Sequence, residues 1–184
     1  MSLITYSGLV VLASTGVIEG AKLDHINAAS IDVRLGNRIL VEASPKGLSS
    51  VVDLAGKEVP AMREIDLATN GYYDLRPGDF CLAGTLEKFN LPNDIAAEYR
   101  LNSSLARAGL DAALAMWCDP GWFGSVLTLE LSNSLRYHSL RLRPGMRIGQ
   151  MIFLRGEPVP EEASYASRGK YNGDSQAQQS KGLG

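Results

Sequence analysis

Histidine and cysteine are nearly missing from this 184-residue chain, with two of each, and their scarcity removes several enzyme classes at once. A zinc deaminase draws its ligands and general acid from a His-x-Glu and a Cys-x-x-Cys, whereas His25, His138, Cys81 and Cys118 stand singly and far apart. No zinc site is expected. Serine-hydrolase chemistry is excluded in the same way, because neither histidine has triad context and no Gly-x-Ser-x-Gly elbow occurs. One cysteine pair also falls short of a disulfide framework, so a reduced, cytoplasmic setting is expected. Basic surplus is lacking as well: 18 Lys and Arg face 20 Asp and Glu, which leaves no general attraction for a phosphate backbone and argues against a nucleic-acid partner. Long apolar runs are absent too. The stretch Leu9-Val10-Val11-Leu12-Ala13 follows no Lys/Arg cluster and is far shorter than the ~20 residues of a bilayer span, so neither secretion nor membrane insertion is expected.

What is present suffices for one domain with a full core, since 45% of the residues are apolar. Leu3, Ile4, Leu9, Val10, Leu12 and Ala13 suit a short N-terminal helix stopped at Gly16. From Ile31 onward, short apolar runs alternate with Gly, Pro, Asn and Asp: Ile31 to Leu35, Arg38 to Glu42, Phe80 to Leu86, Ile95 to Leu101, Val126 to Leu131 and Arg147 to Leu154. That rhythm predicts an all-β barrel or sandwich with short helices. Ser104 to Leu110 reads as a helical turn or two, capped by Ser103 or Ser104. Arg76-Pro77-Gly78-Asp79 and Arg143-Pro144-Gly145-Met146 look like one hairpin device used twice. The barrel is expected over residues 1–163. Residues 164–184, rich in Ser, Gly, Gln and Lys, cannot pack alone; they read as disordered or as an arm ordered over a site.

Candidate chemistry concentrates in about thirty residues. Ser103, Ser104 and Arg107 share one end of a helical turn, where free N–H groups and a guanidinium suit a phosphate, although a Ser-Ser pair before an apolar residue is also an ordinary cap. Asp119-Pro120-Gly121 by itself is a turn sequence. Glu130 is the one carboxylate within Val126-Leu127-Thr128-Leu129-Glu130-Leu131, among leucines expected to be buried. It therefore needs a partner: Arg100, Arg107 or a bound ligand, with a structural ion pair as the plain alternative.

Five segments in one order resemble the dCTP deaminase family: Ala28 to Gly36, Ser103-Ser104-Leu105-Ala106-Arg107, Asp119-Pro120-Gly121-Trp122, Leu127 to Asn133, and Arg143-Pro144-Gly145-Met146. A Tyr165 to Tyr171 segment resembles the family's closing arm, and the resemblance runs from about Ile18 to Ser180. It implies a dUTPase-like distorted β-barrel or jelly roll, a homotrimer with sites between subunits, and a pyrimidine deoxynucleoside triphosphate substrate carrying Mg2+, with no metal ligand from the protein. It further implies Glu130 as catalytic proton carrier and Ser103 as the group orienting water. Asn102, Ser103, Ser104, Leu105, Ala106 and Arg107 would form the triphosphate and reaction-centre segment, and Asp119 the sugar-side carboxylate. Thr128 and Leu129 flank Glu130 in the matching strand, and Tyr165, Lys170 and either Asp174 or Gln176 would reach the nucleotide from the arm.

Four features depart from the family pattern. Asn102 stands where an arginine is usual. Asp111 to Cys118 replaces the usual base-contacting segment. That segment is one residue shorter than the family's while the Asp119 to Glu130 interval is one longer, which predicts a β-bulge near Trp122-Phe123. Asp174 stands where a glutamine is usual. Deamination of dCTP to dUTP and ammonia is the leading expectation. Its rivals are a dUTP pyrophosphatase or a bifunctional enzyme releasing dUMP, and a nucleotide-binding trimer without turnover.

Overall fold

The computed structural model describes residues 1–44, 51–113 and 115–182. In chain order its elements are β1 (Ser2–Leu3), α1 (Tyr6–Ser14), β2 (Ile18–Glu19), a 3-10 turn at Leu23–His25, β3 (Ile31–Glu42), β4 (Met62–Asp66), α2 (Leu67–Asn70), β5 (Tyr73–Leu75), β6 (Phe80–Asn90), β7 (Ile95–Leu101), α3 (Ser103–Arg107), β8 (Leu110–Ala112), β9 (Trp117–Cys118), β10 (Phe123–Asn133), β11 (Leu140–Leu142), β12 (Arg147–Arg155), a second 3-10 turn at Glu161–Ala163 and α4 (Tyr165–Arg168). The architecture is mainly β with short helices.

Among the described residues the large sheet runs β8-β10-β6-β3-β12-β7-β9, with β1, β2 and β4 added at its margins, and every pairing is antiparallel. The first and last long strands, β3 and β12, are neighbours in the middle, so the chain leaves the sheet centre and returns to it. Alternate residues of the long strands face the core: Ile31, Val33 and Leu35 of β3, Leu129 and Leu131 of β10, Met151 and Phe153 of β12 are all fully buried. Each such side chain contributes about 1.5–3 kcal/mol relative to exposure.

Several sequence expectations need correction. Ile31 to Leu35 and Arg38 to Glu42 are one continuous strand, β3, because Gly36 lets the chain pass so close to β6 that a Cβ there would stand 2.8 Å from the Gly84 carbonyl. The two Pro-Gly turns are corners rather than hairpins. Each has its glycine at positive φ, 78° at Gly78 and 76° at Gly145, and each carries the chain from the two-stranded sheet β5-β11 into a long strand of the large sheet. The helical turn starts at Ser103 and is capped by Asn102, whose side chain accepts the Ser104 N–H at 2.9 Å. The expected bulge lies slightly further on, between Phe123 and Ser125.

A second irregularity crosses three strands at one level. β10 skips register against β6 between Val126 and Thr128, and β6 skips against β3 between Leu35 and Ile39. Side chains substitute for the ladder there. The Glu87 carboxylate accepts the Arg34 backbone N–H at 2.8 Å and the Arg34 Nε–H at 2.7 Å, while Arg34 also donates to the Gly20 carbonyl at 2.8 Å. The Thr85 hydroxyl donates to the Glu87 carbonyl at 2.8 Å and accepts the Leu127 N–H at 3.0 Å. Backbone groups that the mismatch would orphan are thereby satisfied.

Candidate active site

In the second half of β10, Leu127, Leu129 and Leu131 are buried while Thr128 and Glu130 turn to the opposite face. That face borders a cavity of about 490 Å³. Phe80 and Leu82 of β6, Met62 of β4 with the preceding Val59 and Pro60, and the segment Trp117-Cys118-Asp119 form further walls; Tyr165, Tyr171, Asp174 and Gln178 to Ser180 complete it. The volume falls in the range of small-molecule sites.

Glu130 is the odd group in this space. Its Oε2 is buried and has no hydrogen-bond partner among the described residues, and burial pushes the carboxyl above the usual carboxylate range, only partly opposed by a backbone hydrogen bond. From the sequence, Arg100, Arg107 or a bound ligand is expected to partner it. The pleat puts it on the face opposite the leucines, and Arg100 is engaged by Glu98 at 2.6 Å.

Asp119 lies at the cavity edge with its Oδ1 accepting the Trp117 Nε1–H at 2.8 Å. The following turn requires glycine twice over. Gly121 has φ 84°, and a Cβ there would run into Ser164 Oγ and Asn93 Oδ1. Ser164 Oγ donates to Asn93 Oδ1 at 2.7 Å, and the Tyr165 N–H donates to the Pro120 carbonyl at 3.0 Å. The turn and the start of the tail are thus clamped together.

The tail runs along β10, and its attachment is mostly through the backbone. The Trp122 Nε1–H donates to the Tyr171 carbonyl at 2.9 Å, the Val126 N–H to the Asp174 carbonyl at 2.9 Å, and the Gln178 N–H to Thr128 Oγ1 at 3.1 Å. Gly84 makes room for it: a Cβ there would come within 3.2 Å of the Ala177 nitrogen. Asp174 lines the cavity and is paired with Lys181 Nζ at 3.1 Å. Gln176 instead meets the Arg38 guanidinium on the sheet, and Lys170 Nζ donates to the Gly182 carbonyl at 3.1 Å.

The structure therefore brings Glu130, Thr128, Asp119, Tyr165 and Asp174 to one cavity and leaves the segment 102–107 outside it. On α3, Ser103, Ser104, Ala106 and Arg107 are exposed, Leu105 packs against the core, and the two hydroxyls and the guanidinium have no partner among the described residues. The Leu129 side chain lies in the core. Leu114, in the segment that replaces the usual base contacts, is outside the described residues. Cys118 borders the cavity, but burial pushes its thiol up to about 12, so it carries no thiolate near neutrality. Burial also raises the Tyr165 hydroxyl.

Trp117, Gln178 and Lys181 were not singled out from the sequence. For Trp117 a signal existed: it is a large aromatic two positions before Asp119, close enough for its indole N–H to meet that carboxylate. For Gln178 and Lys181 there was none, because the tail follows no periodic pattern.

Comparison with known proteins places these observations in a family. Residues 10–156 match the family model described as dCTP deaminase-like. The chain is 36% identical over 156 residues to "dCTP deaminase, dUMP-forming" of Aquifex aeolicus, covering 85% of this chain and 80% of that protein. It is 38% identical over 159 residues to "dCTP deaminase" of Haloarcula marismortui, covering 85% and 80%. A crystal structure of 2'-deoxycytidine 5'-triphosphate deaminase from Agrobacterium tumefaciens superposes with a TM-score of 0.64 at 22% identity, over 84% of this chain and 48% of that one.

Proposed function

The chain belongs to the dCTP deaminase-like family, and on that premise we propose that it hydrolyses dCTP to dUTP and ammonia with Glu130 as the proton carrier. The observation that supports this most is the buried, unpartnered Glu130 Oε2 facing a cavity of nucleotide dimensions. As a carboxylate, Glu130 takes a proton from water while the oxygen adds to C4 and the C4–N3 double bond opens. The carboxyl then returns that proton to the leaving nitrogen, the C4–N bond breaks, and ammonia departs. The second water proton ends on N3, and C4 becomes a carbonyl. A carboxyl raised by burial is suited to both halves of this exchange near neutral pH.

Asp119 takes the sugar side, and the tail from Tyr165 onward acts as the arm that covers the nucleotide. Ser103, Ser104 and Arg107 reach the cavity from a neighbouring copy in a homotrimer, where Ser103 orients the water. Arg107 neutralises phosphate charge together with the Mg2+ that arrives on the triphosphate. The exposed face of α3, without partners among the described residues, supports this. It makes a testable demand. Glu130→Gln and Arg107→Ala chains, each inactive alone, are expected to regain a fraction of wild-type activity when co-expressed, since some sites in mixed trimers combine an intact Glu130 with an intact Arg107. Recovery failing in purified mixed trimers contradicts sites shared between copies.

A second reading continues to dUMP and pyrophosphate, with Asp119 positioning water for attack on the α-phosphate. The Aquifex aeolicus relative's description as dUMP-forming favours it. Incubation with dCTP and Mg2+, followed by anion-exchange separation with mass detection, distinguishes the two. Appearance of dUTP is the expected result, and dUMP with pyrophosphate supports the second reading. Unchanged dCTP that nonetheless binds would make the protein a nucleotide-binding trimer without turnover.

A further inference from the structure

The chain has two tryptophans, and the fold uses them differently. Trp122 is 5% exposed and stacks on Phe89 with ring centroids 5.6 Å apart. Trp117 is 50% exposed although it borders the cavity. Its neighbours Met116 and Cys118 are buried, which leaves the indole as the exposed side chain of this short stretch at the cavity wall. Its one polar atom, Nε1, is committed to Asp119 Oδ1 at 2.8 Å, which fixes the ring by its edge. Among the described residues no other ring and no cation lies over its faces; the ring contacts are Phe89 with Trp122 and cations over Tyr72 and Tyr171. A large apolar plane is thus held open beside two carboxylates, Asp119 and Glu130, that border the same cavity.

We propose that Trp117 is the stacking platform for the pyrimidine ring, and that its N–H holds Asp119 in the orientation that receives the sugar. This rests on the reading that the cavity binds a pyrimidine nucleotide. A half-exposed tryptophan whose edge is tied down, and over which no ring or cation stands among the described residues, presents the surface that a nucleobase recognises without hydrogen bonds. Stacking does not read the C4 substituent, so Trp117 contributes equally to the amino substrate and the oxo product. Discrimination between them falls to the polar groups of the cavity.

Tryptophan fluorescence and calorimetric titration with dCTP and with dUTP, in the Glu130→Gln background to prevent turnover, tests the assignment. Nucleotide is expected to quench the fluorescence, and most of the quench is expected to be lost in Trp117→Ala, the remainder coming from Trp122, which also borders the cavity. Trp117→Ala is expected to weaken both nucleotides by a similar factor, roughly 5- to 150-fold as for one base–aromatic stack, while Trp117→Phe keeps most of the affinity. Affinity within twofold of the parent in Trp117→Ala overturns the platform. So does a quench of undiminished amplitude there, or a loss of affinity accompanied by a changed oligomeric state in light scattering. Failure of the Glu130→Gln parent to bind either nucleotide would sink the nucleotide reading itself, which separates the two failures.

Discussion

Glu130→Gln is expected to lower kcat by about 10²–10⁴-fold, the range for loss of a positioned proton carrier, while nucleotide affinity stays close to wild type. The amide is nearly isosteric with the carboxyl but cannot take a proton from water or return one to ammonia. The same substitution is expected to stabilise the fold at neutral pH. Because burial raises the Glu130 carboxyl, the native state holds that proton more tightly than the unfolded chain does. The stabilising effect of protonation is fully present below the ordinary carboxylate range and is lost as pH rises through the raised folded value. Above it, the folded protein keeps an ionised oxygen that lacks a partner among the described residues, and glutamine removes that charge. Thermal melts across about pH 4–8 should therefore show the variant gaining on wild type as pH increases, by about 2–4 °C for each kcal/mol recovered. For the wild-type enzyme, kcat should fall on acidification through a limb above the usual carboxylate range. A limb at the ordinary value, or a variant that melts lower than wild type at neutral pH, would contradict this account.

The largest stability loss is expected at Glu87. Its side chain is fully buried, and both of its oxygens are used by Arg34, one by the guanidinium at 2.7 Å and one by the backbone N–H at 2.8 Å. Glu87→Ala strands a largely buried cation and an orphaned strand N–H together, which costs about 3–5 kcal/mol. At about 2–4 °C per kcal/mol, the midpoint should fall by on the order of 10 °C. Glu87→Gln keeps an acceptor for the backbone N–H and should lose less. Equal melting points for the alanine variant and wild type would mean that the register mismatch between β3 and β6 is satisfied in some other way.

Legibility in the sequence tracked the kind of force involved. Where burial of alternate side chains decides the structure, the pattern sufficed: Ile95 to Leu101 is a strand with the expected ends, and the all-β architecture follows from runs like it. Glu130 was legible as an anomaly in such a run, but its face was not, since a single polar residue among leucines does not reveal which side of the pleat is the core. The tail was illegible for a different reason. Its seat on β10 is set through its own backbone, whose Tyr171 and Asp174 carbonyls and Gln178 N–H meet the Trp122 indole N–H, the Val126 N–H and the Thr128 hydroxyl, and such bonds leave no mark in the tail's composition. Asn102 was read for its missing charge, while its work as a helix cap needed only the ordinary preference of asparagine for that position. The 102–107 segment carries an inventory for anion binding, yet in the fold it stands outside the cavity, with most of its side chains exposed on α3.

The register fault across β3, β6 and β10 separates β10 into two pieces with different duties. The piece before it, Phe123 to Val126, carries most of the tail's attachments; the piece after it carries Glu130, and Thr128, whose hydroxyl takes one further tail contact from the Gln178 N–H. A continuous ladder would lock these together, so that one inserted residue upstream would rotate every later side chain onto the wrong face. A fault already patched by Thr85 and Glu87 acts as an expansion joint: slack introduced on the tail's side is absorbed before it reaches the carboxylate. Length changes in the Pro120 to Val126 stretch can then alter how the tail is held while Glu130 keeps its place on the cavity wall, so the two are free to evolve on separate schedules.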